Sequence, residues 1–206
     1  MGRPRLHDET TRLLLLDAAE RLIDEEGPDA ASVRRVAEEV GTSTRSVYSV
    51  FGSKAGLLEA LAARLFDLLV AAIDGCPPTD DPLNDVVEAS VSAFRRTALD
   101  HPALYSLVFL RVVPELHLGE RFNQTANRAF ARLEEMMERL QREGLLGTVT
   151  TRNAAMAVHA LTEGLATIEL RGALRETNPE PLWRSSVTSL VIGFSHSSKE
   201  NRPPTT

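Results

Sequence analysis

The sequence predicts an all-α protein of about nine helices, with a small N-terminal helical domain followed by a larger helical one. Three observations lead to this fold class. Apolar residues recur at helical spacing through most of the 206 residues. No stretch alternates apolar and polar residues for long enough to form a sheet. Glycine, proline and hydroxyl residues stand where the periodic stretches begin and end.

The first predicted elements are an arm and a bracing helix. Residues 1–7 contain a glycine and a proline and are expected to form a flexible basic arm carrying Arg3 and Arg5. Such an arm can enter a minor groove, where arginine is favoured, or it can simply be a disordered basic start. Residues 8–26 carry an apolar stripe and predict an amphipathic helix, which the following Gly-Pro pair ends.

Residues 31–56 predict two short helices joined by a tight turn. Ser32 is a suitable N-cap for the first helix, Gly41 ends it, and either Thr42 or Ser43 caps the second. The three-residue connection matches a helix-turn-helix. We therefore place a DNA-binding domain at residues 8–56, although an ordinary helical hairpin would show the same pattern.

The polar side of the second helix is free of negative charge. No carboxylate lies between Thr42 and Lys54, as a helix entering the major groove requires. Short hydroxyls and Arg45 can reach base edges, whereas Tyr48 and Lys54 are better placed for phosphates. The candidate DNA-contacting residues are Arg3, Arg5, Ser32, Arg34, Thr42, Thr44, Arg45, Ser46, Tyr48, Ser49 and Lys54.

The pattern stays helical beyond the helix-turn-helix and predicts one larger domain at residues 57–195. A helix from Ser53 or Lys54 to about Asp74 precedes a loop dense in prolines at residues 75–82. Residues 196–206 lack apolar side chains and predict a disordered tail. Further helices are expected at residues 83–99, 103–113, 119–143, 152–171 and from Pro179 or Pro181 to about Phe194.

Composition excludes several functional classes. No apolar run approaches the roughly 18 to 20 residues of a membrane span and no signal-peptide pattern is present, so we expect a cytoplasmic protein without a membrane partner. The single cysteine precludes an intramolecular disulfide. Motifs for phosphate loops, serine nucleophiles and zinc catalysis are missing, and we expect no enzyme, no cofactor and no metal. The net charge of −6 argues against a nucleic-acid partner, except that the stretch from residue 42 to residue 54 is purely basic.

The stretch from Arg12 to Leu61 resembles the N-terminal domain of TetR-type (TetR/AcrR) bacterial transcriptional regulators. The resemblance implies a DNA-binding domain followed by a helical effector-binding and dimerisation domain. Arg45 stands where that family often has Gly or Ala, which would add a base contact. The matching residues are Leu15, Ala18, Ala19, Leu22, Gly27, Ser32, Val33, Arg34, Ala37, Gly41, Ser43, Val47, Tyr48, Phe51, Gly52, Ser53, Lys54 and Leu57.

The resemblance also implies a ligand pocket within residues 57–170 for an unknown small-molecule effector. Apolar residues at this spacing are equally expected in an ordinary core. His159 and Glu163 stand four apart on one helix, a spacing that suits a metal or a polar ligand, but with no third ligand evident we expect a satisfied polar group at a pocket or interface. The candidate pocket residues are Phe66, Phe94, Tyr105, Phe109, Phe122, Phe130, Met136, His159 and Glu163.

The last two helices combine small residues with an apolar stripe. In the resembled family this pair forms a four-helix bundle with a second copy; the alternative is packing within one chain. The candidate interface residues are Ala157, Ala160, Gly164, Trp183, Val187, Leu190, Val191 and Phe194.

These features together indicate a ligand-responsive transcriptional regulator that binds a palindromic double-stranded DNA operator as a homodimer. We expect a repressor that a small-molecule inducer releases from DNA, although the sequence leaves activation open. The alternative is a helical small-molecule-binding or interaction protein that no longer binds DNA. The inducer, the operator and the regulated genes cannot be named from the sequence.

Overall fold

The computed structural model describes residues 5–113, 116 and 118–196, with side chains from residue 9 onward. Within these ranges every regular element is helical and no β-strand occurs, which confirms the predicted fold class. The α-helices are α1 (Arg5–Glu26), α2 (Val33–Val40), α3 (Thr44–Phe51), α4 (Lys54–Asp74), α5 (Pro82–Glu88), α6 (Arg96–Asp100), α7 (Pro102–Val108), α8 (Glu120–Arg142), α9 (Thr151–Leu170) and α10 (Glu180–His196).

Two shorter helical segments complete the described chain. A 3-10 turn, Pro28–Ala30, follows α1, and a π-helical segment, Ala89–Arg95, joins α5 to α6 without a break. The ten α-helices of this part of the chain therefore make nine continuous ones, because α5 and α6 belong to a single helix. None of the helices described here has the length and apolarity needed to cross a lipid bilayer.

The chain divides into two compact units. The first consists of Met1–Phe66 and His101–Ala126, and the second of Asp67–Asp100 and Asn127–Thr206. The division falls within α4, between Phe66 and Asp67. It lies later in the chain than residue 57, the predicted start of the larger domain. Helix α4 thus contributes residues to both units.

In the first unit, α1 provides the core on which the short helices pack. Leu15, Ala19, Val36 and Val47 are almost completely buried, and α1 contacts both α2 and α3. The apolar stripe predicted for α1 is confirmed by this burial. The helix-turn-helix is therefore supported by a long helix rather than by a loop.

Buried charge also fixes α1 within the first unit. The carboxylate of Glu20 is buried, and its Oε1 lies 2.6 Å from Nδ1 of His101, just before α7. Arg64 of α4 lies between two acids of α1, with Nη2 2.6 Å from Asp17 and Nε 3.7 Å from Glu20. A buried carboxylate needs such partners, because an unpaired charge in the interior is costly.

In the second unit, one carboxylate ties three helical segments together. Glu169 of α9 accepts hydrogen bonds from Nη2 of Arg95 at 2.7 Å and from the indole nitrogen of Trp183 at 2.8 Å. Arg95 ends the π-helical segment and Trp183 of α10 is completely buried. The cluster holds α9, α10 and the π-helical segment in one arrangement.

Helix bounds differ from the sequence predictions at three points. Helix α1 begins at Arg5 rather than at residue 8, because Gly2 and Pro4 are the only helix breakers in the predicted arm. Helix α7 ends at Val108 instead of residue 113, and Arg111 adopts a left-handed φ of 48° that a helix cannot accommodate. Helix α10 continues to His196, so the first residue of the predicted tail is helical, and residues 197–206 lie outside the described residues.

Candidate functional site

The two short helices are bounded by local hydrogen bonds. Oγ of Ser32 accepts from the backbone N–H of Arg35 at 3.3 Å, and Oγ of Ser43 accepts from the N–H of Ser46 at 3.2 Å. Between them, Gly41 adopts a left-handed φ of 70°, which glycine tolerates without strain. Ser43 rather than Thr42 is thus the cap, and the three-residue turn of a helix-turn-helix is present.

A close approach fixes the junction between α3 and α4. A Cβ atom added to Gly56 would lie 2.0 Å from the carbonyl oxygen of Phe51, the last residue of α3. No side chain fits at that distance. The absence of a side chain at Gly56 therefore allows α4 to start directly beside the end of α3.

The outward face of α3 carries the predicted hydroxyl and basic groups. Val47 is buried against the core, whereas Thr44, Arg45, Tyr48 and Ser49 are exposed. Among the described residues, no ion pair engages Arg45 or the exposed Lys54. Both positive charges are consequently available to an anionic partner. The remaining candidates here, Thr42 and Ser46, are half-buried.

The arginines of α2 are already paired with carboxylates. Nε of Arg34 donates to Glu38 at 2.8 Å, and the guanidinium of Arg35 donates to both oxygens of Glu26 at 2.6 Å. The hydrogen bond that Arg34 donates to Glu38 raises the pKa of Arg34, so its charge persists but is locally neutralised. The hydroxyl oxygen of Ser32 already accepts the capping hydrogen bond from the N–H of Arg35. Among the described side chains of this domain, the unpaired positive charge is therefore concentrated on α3 and Lys54.

Two of the predicted DNA-contacting side chains belong to the basic arm. Arg3 and the side chain of Arg5 lie outside the described residues.

Four of the pocket candidates lie close together within the first unit. In the first unit, Phe66 packs edge-on against Phe109 and Phe122 at centroid distances of 6.1 and 5.4 Å, and Tyr105 lies 4.8 Å from Phe109. Phe66 and Tyr105 are buried and the other two are half-buried. These four residues make one aromatic cluster.

A second group surrounds His159 in the other unit. The rings of Phe94 and Phe130 approach His159 edge-on at 6.2 and 6.3 Å, and Nε2 of His159 lies 3.5 Å from Glu163. Burial lowers the pKa of His159, while the charge of Glu163 acts in the opposite direction. His159 is therefore neutral at pH 7. No group of three or more metal-ligating side chains occurs in the part of the chain that the structure describes.

Met136 belongs to a third location, which we call the loop cleft. This cleft has a volume of about 540 Å³ and lies between the end of α4, the loop before α5, the α5 helix and α8. Its apolar wall consists of Ile73, Pro77, Pro78 and Met136. The prolines predict the loop but not the cavity, because a loop has no periodicity that indicates which helix it faces.

The predicted dimer interface needs correction on α10. Trp183, Val187 and Val191 are at most 1% exposed within their own chain, so they are core residues that a second copy cannot reach. Leu190, Phe194 and Ala157 are half-buried, and Ala160 and Gly164 are exposed. The stripe of α10 is apolar as predicted, and at these three positions the chain's own core covers it.

Four large apolar side chains are exposed on the same two helices. Met156 and Ile168 of α9 are 49% and 43% exposed, and Leu182 and Ile192 of α10 are 37% and 46% exposed. With Ala160 and Gly164, the α9 residues recur every fourth position. None of these four residues is among the predicted interface residues, although the four-residue spacing on α9 is visible in the sequence.

Two family models match the chain. Residues 15–61 match the model described as bacterial regulatory proteins, tetR family, and residues 87–190 match the one described as tetracyclin repressor-like, C-terminal domain. The HTH-type nicotine-responsive transcriptional repressor HdnoR of Paenarthrobacter nicotinovorans is 38% identical over 69 residues, which are 34% of this chain and 36% of that protein. The chain thus matches about a third of the length of this curated relative.

Solved structures share the fold at lower identity. A protein of unknown function from Rhodococcus sp. RHA1 has a TM-score of 0.75 and 21% identity, covering 90% of this chain and 95% of the other. The regulator FadR from Bacillus subtilis in complex with stearoyl-CoA has a TM-score of 0.67 and 16% identity, covering 87% and 97%. Since the C-terminal family model alone spans half of the 206 residues and the N-terminal one spans the helix-turn-helix, the chain belongs to the tetR family of bacterial regulatory proteins.

Proposed function

We propose that the protein is a ligand-responsive transcriptional repressor that binds a palindromic operator as a dimer through α3. The observation that carries this proposal is the outward face of α3, where Thr44, Arg45, Tyr48 and Ser49 are exposed without a neighbouring acid. A helix of this kind can enter the major groove and contact base edges.

Dimerisation is supported by the exposed apolar side chains of α9 and α10. Met156, Ile168, Leu182 and Ile192 are expected at the centre of a two-fold interface, with Ala160 and Gly164 allowing close helix approach. A two-fold dimer would place one α3 helix in each of two major grooves, which is why we expect a palindromic operator.

Response to a ligand is the third part of the proposal. HdnoR is named as a nicotine-responsive repressor, and FadR from Bacillus subtilis was solved in complex with stearoyl-CoA. Similar ligand binding here would use a site in the helical body. Binding would favour a spacing of the two α3 helices that misses consecutive grooves. DNA affinity would fall only as far as the ligand's preference between the two states allows.

Replacing Arg45 by alanine tests the assignment of α3. The probe is a duplex that the wild-type protein selects from a randomised DNA library, titrated by fluorescence anisotropy at fixed salt. Loss of an arginine that contacts a base should weaken binding on the order of ten- to a hundredfold. Arg96→Ala is the matched control, because Arg96 is an equally charged, 72% exposed side chain on α6. Equal affinities for both variants and the wild type would refute the assignment.

Lys54 should act differently from Arg45. A phosphate contact carries no sequence information, so Lys54→Ala should weaken selected and unselected duplexes alike and lower the salt slope by about one. The competing function, a helical ligand-binding protein that no longer binds DNA, is favoured by the net charge of −6. It would be supported if the wild-type protein selected no sequence from the library.

A further inference from the structure

The loop cleft has an apolar wall on one side and both hydrogen-bond donors and acceptors in the rest of its lining. Ile73, Pro77, Pro78 and Met136 supply the apolar side. Cavities of several hundred cubic ångström with mostly apolar walls and a few polar groups are typical ligand sites. The polar groups of the lining therefore decide which chemistry fits.

The charged donors of the cleft are already engaged. Arg139 donates to the carboxylate of Asp85 through Nη1 and to the backbone oxygen of Thr79 through Nη2 at 2.5 Å. Arg132 donates through Nη1 to Glu135 at 3.0 Å, and its buried Nε lies 3.0 Å from Asp74 as an ion pair without hydrogen-bond geometry. An anionic ligand would have to displace these internal partners.

The neutral donors are engaged as well. The hydroxyl of Thr79 donates to Asp85 at 2.6 Å, and that of Ser92 donates to Glu88 at 3.0 Å. Cys76 donates its thiol to the carbonyl of Ala72 at 3.4 Å. Apart from the exposed side-chain amide of Asn84, the neutral donors of the lining are thus committed to protein acceptors.

Acceptors, in contrast, are in excess. The lining contains the carboxylates of Asp74, Asp85, Glu88 and Glu135 and two arginines, and Glu88 is also paired with Arg184 of α10 at 2.6 Å. With that partner counted, the cleft carries a net charge of about −1. A carboxylate has about four lone-pair positions, more than the contacts above occupy. The side chains of Glu135 and Asp74 are also 59% and 50% exposed, which leaves them accessible at the rim.

We propose that the loop cleft binds an organic cation with an apolar body. The apolar part packs on Ile73, Pro77 and Met136, and the positive group lies at the rim beside Glu135 and Asp74. The inference deepens the proposed function by giving a chemical class for the effector, and it rests on that function to this extent. The binding step itself does not involve DNA.

The test is titration calorimetry of the full chain without DNA. Benzyltrimethylammonium is the cationic probe and phenylacetate, a similarly sized anion, is the comparison. We expect saturable binding of the cation and none of phenylacetate. Absence of cation binding, or equal binding of the anion, would overturn the proposal. Neither result depends on DNA binding, so a failure here is distinguishable from a failure of the proposed function in the DNA titrations.

Variants locate the site. Glu135→Gln should weaken cation binding about two- to fivefold, as expected for a partly exposed charge. Glu134→Gln is the matched control, because Glu134 is the adjacent acid on α8, pairs with Arg152 at 3.2 Å and lies outside the cleft lining. Equal effects of the two variants would show that only overall charge matters and would overturn the proposal.

Two bulky substitutions test the cavity itself. Met136→Trp fills the apolar wall and should weaken binding on the order of tenfold, while Asn84→Trp narrows the mouth from an exposed position on α5. Circular dichroism checks that each variant keeps its helical content. If Met136→Trp fails to fold, Asn84→Trp alone decides, and wild-type affinity in a folded variant would overturn the location.

Discussion

Gly56 is the position at which a single atom would disturb the candidate DNA surface. In a helix, alanine normally stabilises by about 1 kcal/mol relative to glycine. Here the added Cβ would meet the carbonyl oxygen of Phe51 at 2.0 Å, and a backbone atom cannot move away cheaply. Gly56→Ala should therefore lower the free energy of unfolding by about 1 to 3 kcal/mol, as overpacking does.

Urea denaturation followed by circular dichroism measures this effect. Ala55→Gly is the control, because it makes the opposite exchange at the neighbouring exposed position and should cost no more than about 1 kcal/mol through helix propensity. If Gly56→Ala were as stable as the wild type or more so, the close approach of α3 and α4 would be wrong.

Single residues were predictable from the sequence wherever their role is local. The caps Ser32 and Ser43 act on residues three positions away, so the sequence already contains both partners. The ion pair between Arg35 and Glu26 joins two separate helices, and no periodic pattern in the sequence indicates it. The sequence therefore shows which residues of α3 are polar. It does not show which neighbouring arginines are paired with carboxylates, because such a partner can lie in another helix, as Glu26 does.

At the scale of one element, Asp85 holds the loop before α5. Its carboxylate accepts from the backbone N–H and the hydroxyl of Thr79 and from Arg139. Burial raises the pKa of Asp85, but these hydrogen bonds outweigh it and lower the pKa below the usual value. Asp85→Asn should cost about 2 kcal/mol at pH 7, since hydrogen bonds to a charged group are lost.

The pH dependence of this difference has a defined sign. Because the folded pKa is depressed, the stabilisation by Asp85 is complete above its unfolded pKa of about 4 and disappears as pH falls through the folded pKa. Thermal unfolding of the wild type and Asp85→Asn should accordingly converge at acidic pH. Asp81→Asn serves as control, since asparagine caps α5 as well as aspartate does. A gap that persists unchanged at low pH would contradict the assignment.

Helices were predictable as elements, and their contacts were not. Periodicity and breakers located most of the helices within a few residues, as for α4 and α9. The π-helical segment was not predicted, because its shifted hydrogen bonds need no special composition. On α10, the stripe of Trp183, Val187 and Val191 showed an apolar face without showing whether the core or a second copy covers it.

For the whole molecule, the net charge of −6 makes the oligomeric state important. One subunit offers only Arg45 and Lys54 as unpaired cations on the candidate DNA surface among the described residues, which gives weak attraction to phosphates. A dimer brings two such surfaces to the DNA, so the number of cationic contacts doubles. Once one subunit has bound, the other subunit binds at a high effective concentration. Specific DNA binding should therefore depend on dimerisation.

Ile192→Glu tests this dependence. Ile192 is 46% exposed on α10, so a glutamate there is tolerated in the isolated chain but would be buried without a partner in a two-fold interface. Sedimentation velocity at micromolar concentration should show a wild-type dimer and a folded Ile192→Glu monomer, and the monomer should lose binding to the selected duplex. Val112→Glu, a similar change at a 40% exposed site outside α9 and α10, should remain dimeric and bind DNA. An Ile192→Glu variant that stays dimeric would place the interface elsewhere, and a monomer with undiminished DNA affinity would separate operator binding from dimerisation.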